Sequence, residues 1–145
     1  MKFSDHELTL AADAGARFLF AARQMPWRRG SVAARWKAMK PAQKYPHRSA
    51  AGELVLPALA ALPERDTPGE VPTFTADELA AAARDGARAA YEQGGRSWTD
   101  LGEKKQARRA AVTLVVLRAA VAGLPRRANP QAPPAVPDFV PDDLI

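Results

Sequence analysis

Two stretches set 71 residues apart begin alike: "FSDHELTLAADAGAR" (3–17) and "FTADELAAAARDGAR" (74–88) share Phe, Glu, Leu, Ala, Ala, Gly, Ala and Arg at matching positions. Each places Ser or Thr three residues ahead of Glu, the spacing of a capping box, with a phenylalanine just before the cap. Leu8, Ala11, Ala12, Gly15, Leu19 and Ala22 then recur at helical intervals in the first stretch. Gly15 and Gly86 both fall in mid-helix, where glycine costs about 1 kcal/mol against alanine, so each is expected to mark a close helix–helix contact. Two readings follow. Either the chain is a weak duplication, 3–62 and 74–124, or two Ala-rich capped helices simply look alike.

The remaining punctuation predicts an all-α fold. The first helix should run from Asp5 to about Arg23 and end before Pro26. Ser31 can cap a short second helix through Lys40, with Val32, Trp36 and Met39 on one face and Arg29, Ala33, Lys37 and Lys40 on another. Pro41 and Pro46 are expected to bracket a loop. "SAAGELVLPALAALP", from Ser49, is strongly apolar and predicts a buried element, kinked or split at Pro57. "PERDTPGEVPT" (63–73) reads as a connector. Gly94 and Gly95 should stop the next helix after Gln93, and Ser97 or Thr99 should cap the last one, which Gly123 and Pro125 close. Its second half, 110–122, is apolar on nearly every side and is expected to be the central helix, with Arg118 needing a carboxylate or a route to solvent. The expected architecture is a small bundle of four or five helices over residues 1–124, followed by an extended arm. Residues 125–145 carry six prolines and suit a polyproline-like conformation.

Thirty-two alanines favour helices that approach closely, but their small side chains leave packing to a few large residues. The absence of cysteine removes disulfides, thiolate metal sites and a cysteine nucleophile from consideration. No run of about 18 apolar residues predicts a membrane span, and the polar N-terminus lacks a secretory core, so a cytoplasmic location is expected. Arg outnumbers Lys 15 to 6. With the alanine excess this suits a GC-rich genome of actinobacterial or bacteriophage type, and a phage gene would extend the expected location to the virion.

Charge is arranged in blocks. Residues 25–50 carry seven Lys or Arg and no acid, 51–90 sum to −4, 91–127 to +5 and 128–145 to −3. Cations interleaved with Trp and Tyr are what a nucleic-acid surface needs, since cations neutralise phosphates and rings stack on bases. Trp27, Arg28, Arg29, Arg35, Lys37, Lys40, Lys44, Tyr45 and Arg48 form the first candidate contact set, helped by Lys104, Lys105, Arg108 and Arg109 if the fold brings the two together. Trp36 fits a core stripe with Val32 and Met39 better than a stacking platform. No zinc-finger, RNP or helix-turn-helix pattern accompanies the basic block, so contacts are expected to be mostly to the backbone, with weak sequence preference.

Catalytic and cofactor signatures do not emerge. His6 and His47 are 41 residues apart and make no metal-binding spacing. "EQGGRSW" (92–98) is the nearest approach to a phosphate loop, with Arg96 beside two glycines, but it lacks the preceding strand and fits a plain turn. The expectation is a non-enzymatic accessory protein without cofactor or metal, contacting nucleic acid. The rival class is a structural or adaptor protein that docks or self-associates through its arm, where Phe139, Val140, Leu144 and Ile145 stand among aspartates including Asp142 and Asp143.

Overall fold

The computed structural model describes residues 3–23, 31–66 and 68–127. These form five α-helices and no strand: α1 (Asp5–Ala22), α2 (Val32–Ala38), α3 (Pro41–Ala61), α4 (Ala76–Gln93) and α5 (Glu103–Ala122), with a short 3-10 turn at Trp98–Asp100. The expected helical bundle is the fold observed. The proposed arm, including Phe139, Val140, Asp142, Asp143, Leu144 and Ile145, lies outside the described residues, as do Trp27, Arg28 and Arg29.

Four long helices alternate in direction. Phe20 meets His47 while Ala11 joins Val55 and Ala58 in the core, so α3 runs antiparallel to α1. Gly86 lies on Ala58 while Tyr91 shares a cleft with Leu54, so α4 reverses again. Gly15 faces Val116 and Ala14 faces Gly123, which returns α5 antiparallel to α1. α3 packs on α1, α4 and α5, and α5 packs on α1, α3 and α4. The centre is therefore shared by α3 and α5, not held by 110–122 alone. Thr113, Val116, Leu117 and Ala120 are buried, but Val112 and Val115 are about half exposed, and Arg118 reaches solvent.

The continuous α3 corrects two expectations. Residues 41–46 are helix rather than loop, and Pro57 does not split the apolar segment. Pro41 occupies the first turn, where its missing N–H costs nothing. Pro46 and Pro57 would otherwise bond the carbonyls of Ala42 and Glu53, both exposed residues whose freed carbonyls water can serve. Meanwhile Ala51, Gly52, Val55, Ala58 and Leu59 on the opposite face are buried, and that packing outweighs the two lost hydrogen bonds. A third correction concerns α5, whose N-cap is Gly102. Ser97 precedes the 3-10 turn instead, its hydroxyl 2.9 Å from that of Thr99.

Both mid-helix glycines sit at close contacts. A Cβ on Gly86 would lie 2.5 Å from Ala58 Cα, so only glycine lets α4 touch the α3 backbone. On Gly15 it would meet Val116 at 3.3 Å and Val55 at 3.4 Å, a tight but softer fit.

The caps of α1 and α4 are the same device. Glu7 Oε1 accepts the Ser4 N–H at 3.0 Å while Ser4 Oγ accepts the Glu7 N–H at 3.2 Å. Thr75 and Glu78 repeat this at 2.9 and 3.1 Å. The other carboxylate oxygen of each Glu takes an arginine from beyond the end of a partner helix: Arg127, past α5, donates to Glu7 at 3.0 Å, and Arg65, past α3, donates to Glu78. Each guanidinium also covers the phenylalanine ahead of that cap, Arg127 on Phe3 at 5.6 Å and Arg65 on Phe74 at 5.4 Å, and the two rings meet at 6.4 Å. The two capped starts thus lie side by side at one end of the bundle. Arg127 and Glu70 share a backbone hydrogen bond of 3.0 Å, which docks the 63–73 connector at the same end.

Candidate functional site

Because the helices alternate, charges far apart in the described sequence collect at the two ends of the bundle. Among the described residues the capped end carries the carboxylates of Asp5, Glu7, Glu64, Asp66, Glu70, Asp77 and Glu78 with the cations Arg65, Arg126 and Arg127. The other end gathers the last turns of α1 and α4, all of α2 and the first turns of α3 and α5. Lys37, Lys40, Lys44, Tyr45 and Arg48 therefore share a pole with Lys104, Lys105, Arg108 and Arg109, although they surround different clefts.

The first cleft, about 400 Å³, lies between α1, α2 and α3 and is lined by Asp13, Arg17, Ala33, Trp36, Lys37, Lys44 and Arg48. Trp36 is only 5% exposed and packs on Phe20 at 5.6 Å and His47 at 5.9 Å, which makes it a core residue. Lys44 rests over its ring at 5.5 Å. Asp13 is the centre of charge here. Its Oδ1 accepts Nε and Nη2 of Arg48 at 3.0 and 2.8 Å, and its Oδ2 accepts Nε and Nη2 of Arg17 at 2.8 and 2.6 Å. Burial works against ionisation of Asp13, but the hydrogen bonds and charges of Arg48 and Arg17 outweigh it and hold the carboxyl below its ordinary range. Arg48 is thus already engaged by the folded body. Arg35 is half-buried on α2, while Lys37, Lys40 and Tyr45 are exposed.

The second cleft, about 630 Å³, lies where α4, the following turn and α5 meet α3. Its floor is apolar, from Leu54, Ala87, Ala90, Leu101 and Val112, and its rim holds Arg96, Lys105, Arg108 and Arg109. Gly95 takes φ +78° and turns the chain so that Arg96 comes back over the Tyr91 ring at 4.7 Å. Arg109, from α5, lies 4.8 Å from the same ring. Trp98 meets Tyr91 edge-on at 5.9 Å, and Gln106 fixes the turn by donating to the carbonyls of Trp98 and Leu101 at 2.9 and 3.0 Å. Among the described residues, none of the four rim cations has a carboxylate partner, and no acidic residue lines the cleft.

Two guanidiniums on one ring, with two more cations beside them, make a site of converging like charge on an apolar floor. An anion bridging those groups relieves their repulsion, and the partly desolvated floor strengthens each contact. Lys105, Arg108 and Arg109 were legible in the sequence as cations on an exposed helical turn. Tyr91 was not, because nothing in one sequence brings a tyrosine at the end of α4 under an arginine 18 residues later. The signal available was the Gly94–Gly95–Arg96 turn, whose fit to a plain turn rather than a strand-supported phosphate loop agrees with the geometry.

Among the described residues no helix is long and apolar enough to cross a membrane, and no group of three His, Asp or Glu is placed to hold a metal ion. Comparison with known proteins finds no family model, no curated protein and no solved structure that matches this chain.

Proposed function

We propose that this protein is a non-enzymatic accessory protein that contacts nucleic acid through the cationic pole of its bundle, with the α4–α5 cleft as the principal contact. One observation carries this reading: Arg96, Lys105, Arg108 and Arg109 line a single cleft that, among the described residues, no carboxylate lines. Phosphate oxygens are the anions such a cluster suits, and the guanidinium planes on Tyr91 offer a surface on which a base can stack. Lys37, Lys40, Lys44 and Tyr45 extend the contact along the same pole, whereas Arg48 serves mainly to hold α3 against α1 through Asp13. Sequence preference is expected to be weak, because the site offers cations and ring faces rather than a set of groups aimed at base edges.

Fluorescence anisotropy of a labelled single-stranded oligonucleotide and of a duplex, titrated with the protein between about 50 and 200 mM salt, tests the reading. The expected result is binding that weakens steeply with salt. Arg108→Glu with Arg109→Glu should weaken it by roughly tenfold or more and flatten the salt dependence by about two phosphate contacts. Binding that ignores both salt and the double substitution would overturn it.

A further inference from the structure

The α4–α5 cleft asks more of a ligand than charge. Its rim cations Arg96, Lys105, Arg108 and Arg109 border a floor of Leu54, Ala87, Ala90, Leu101 and Val112, of which Val112 is 48% exposed. A simple anion satisfies the rim and leaves that apolar floor in water, where it gains nothing. The ligand that matches both carries an anion and a flat apolar group side by side, and a cleft of about 630 Å³ is of the size that holds a small organic group rather than a bare ion. The first cleft at the same pole lacks this combination. Trp36 is 5% exposed beneath Lys44, and Asp13 stands in the lining, so a phosphate there meets a carboxylate and a base finds no open ring face.

Resting on the reading of this cleft as a nucleic-acid contact, we infer that its ligand is a single strand, with one unpaired base turned onto the apolar floor and the phosphates beside that base held by the rim cations. A duplex presents its backbone outward and keeps its bases paired inside. It therefore reaches the rim alone, unless it gives up a pair and the stacking on either side to extrude a base. A single strand has no pair to break. The cleft is also prepared for a base before one arrives, which lowers the cost of ordering it. Arg96 and Arg109, both exposed, are held 4.7 and 4.8 Å from the Tyr91 ring, so an entering base meets guanidinium groups as well as the apolar floor. Gln106 fixes the turn that brings Leu101 to the floor through its bonds to the carbonyls of Trp98 and Leu101.

Three labelled probes of equal length separate base from phosphate: a mixed-sequence strand, the same strand annealed to its complement, and a strand of abasic residues that keeps the phosphates. At about 200 mM salt the phosphate contribution has faded and stacking has not. Anisotropy should then show the mixed-sequence strand bound roughly tenfold more tightly than either of the others, an effect of the size expected from one stacked base. Val112→Asn, at an exposed position, should weaken the mixed-sequence strand several-fold and leave the abasic strand unchanged. A readout that needs no substitution comes from the methyl resonances of Leu54, Leu101 and Val112. They should move upfield with the mixed-sequence strand, whose base ring lies over them, and stay in place with the abasic one. Equal affinity for the three probes, or methyl resonances that do not respond to the mixed-sequence strand, would overturn the inference. In that event, binding that still falls with salt and with Arg108→Glu and Arg109→Glu leaves the proposed function standing, whereas no binding to any probe removes both.

Discussion

The two clefts at the cationic pole occupy corresponding places in the two halves of the chain, yet they hold their arginines for different purposes. In the first, between α1 and α3, Asp13 binds Arg17 within α1 and Arg48 across to α3, so that Arg48 becomes a prop joining two helices. In the second, between α4 and α5, the position matching Asp13 at the same 71-residue offset is Arg84, and Arg96 and Arg109 lie on Tyr91 instead of on a carboxylate. One buried acid is the difference. A guanidinium paired by a carboxylate has little left for a ligand, while one that rests on a ring face keeps its outward donors and its full charge. At the opposite pole the halves agree closely, because each capping glutamate takes the arginine that follows a helix of the other half. Similarity is retained where the halves hold each other, and difference appears where they face outward. The shared cap geometry supports a duplication as the origin of the two halves, which we offer as a proposal.

The comparison can be broken most sharply at its glycines. Gly86→Ala drives a methyl group into the Ala58 backbone, and a loss of about 3 kcal/mol is expected in urea unfolding despite a helix-propensity gain of about 1. Gly15→Ala meets only side-chain methyls, and its effect should stay within about 1 kcal/mol of zero. Equal losses at both sites would contradict the two contact geometries.

Next in size is Asp13→Asn, which leaves Arg17 and Arg48 without their shared anion. Both arginines are about half exposed, so solvent softens the loss to about 2 kcal/mol, and oligonucleotide affinity should rise as the first cleft comes to resemble the second. The same carboxylate gives a pH signature. A group whose folded pKa is depressed contributes stability above its unfolded pKa and loses it as pH falls through the folded value. Asp13 is held below its ordinary 3.8 because Arg48 and Arg17 overcome the effect of burial, and Glu7 below its ordinary 4.5 because Ser4 and Arg127 do so. Urea midpoints should therefore be flat down to about pH 5 and fall below about pH 4, less steeply in Asp13→Asn.

Arg48→Gln against Arg109→Gln gives the smallest but most discriminating contrast. The first removes one of two partners from Asp13 and should cost about 1 kcal/mol, with little change in oligonucleotide binding. The second gives up one contact with Tyr91 while relieving repulsion from Arg96, so stability should move by no more than about 0.5 kcal/mol while binding falls. If both variants lose stability equally and neither changes binding, the distinction between prop and ligand group fails.

Much of the helical layout was written locally. Ser4 with Glu7 and Thr75 with Glu78 start helices whose caps form within four residues, Gly94 and Gly95 end one, and Gly123 closes another, so short-range chemistry was enough to find them. The misreadings came where packing overruled a local preference. Pro46 and Pro57 should have interrupted the chain, but Val55, Ala58 and Leu59 are buried on the far side of the same helix and carry it through.

What the sequence determined by itself was composition along the line: capped Ala-rich helices, blocks of charge, and the absence of any cysteine chemistry. These depend on neighbours within a few residues, and one dimension is sufficient to read them. Tertiary structure alone decided which charges met. Antiparallel packing of four helices brought the cations of α2, early α3 and early α5 to one pole and the carboxylates of the two capped helix starts to the other. It set Asp13 between Arg17 and Arg48, and it brought Arg96 and Arg109 onto Tyr91. Electrostatic pairing acts over a few ångströms of space, and that proximity exists only once the helices have docked.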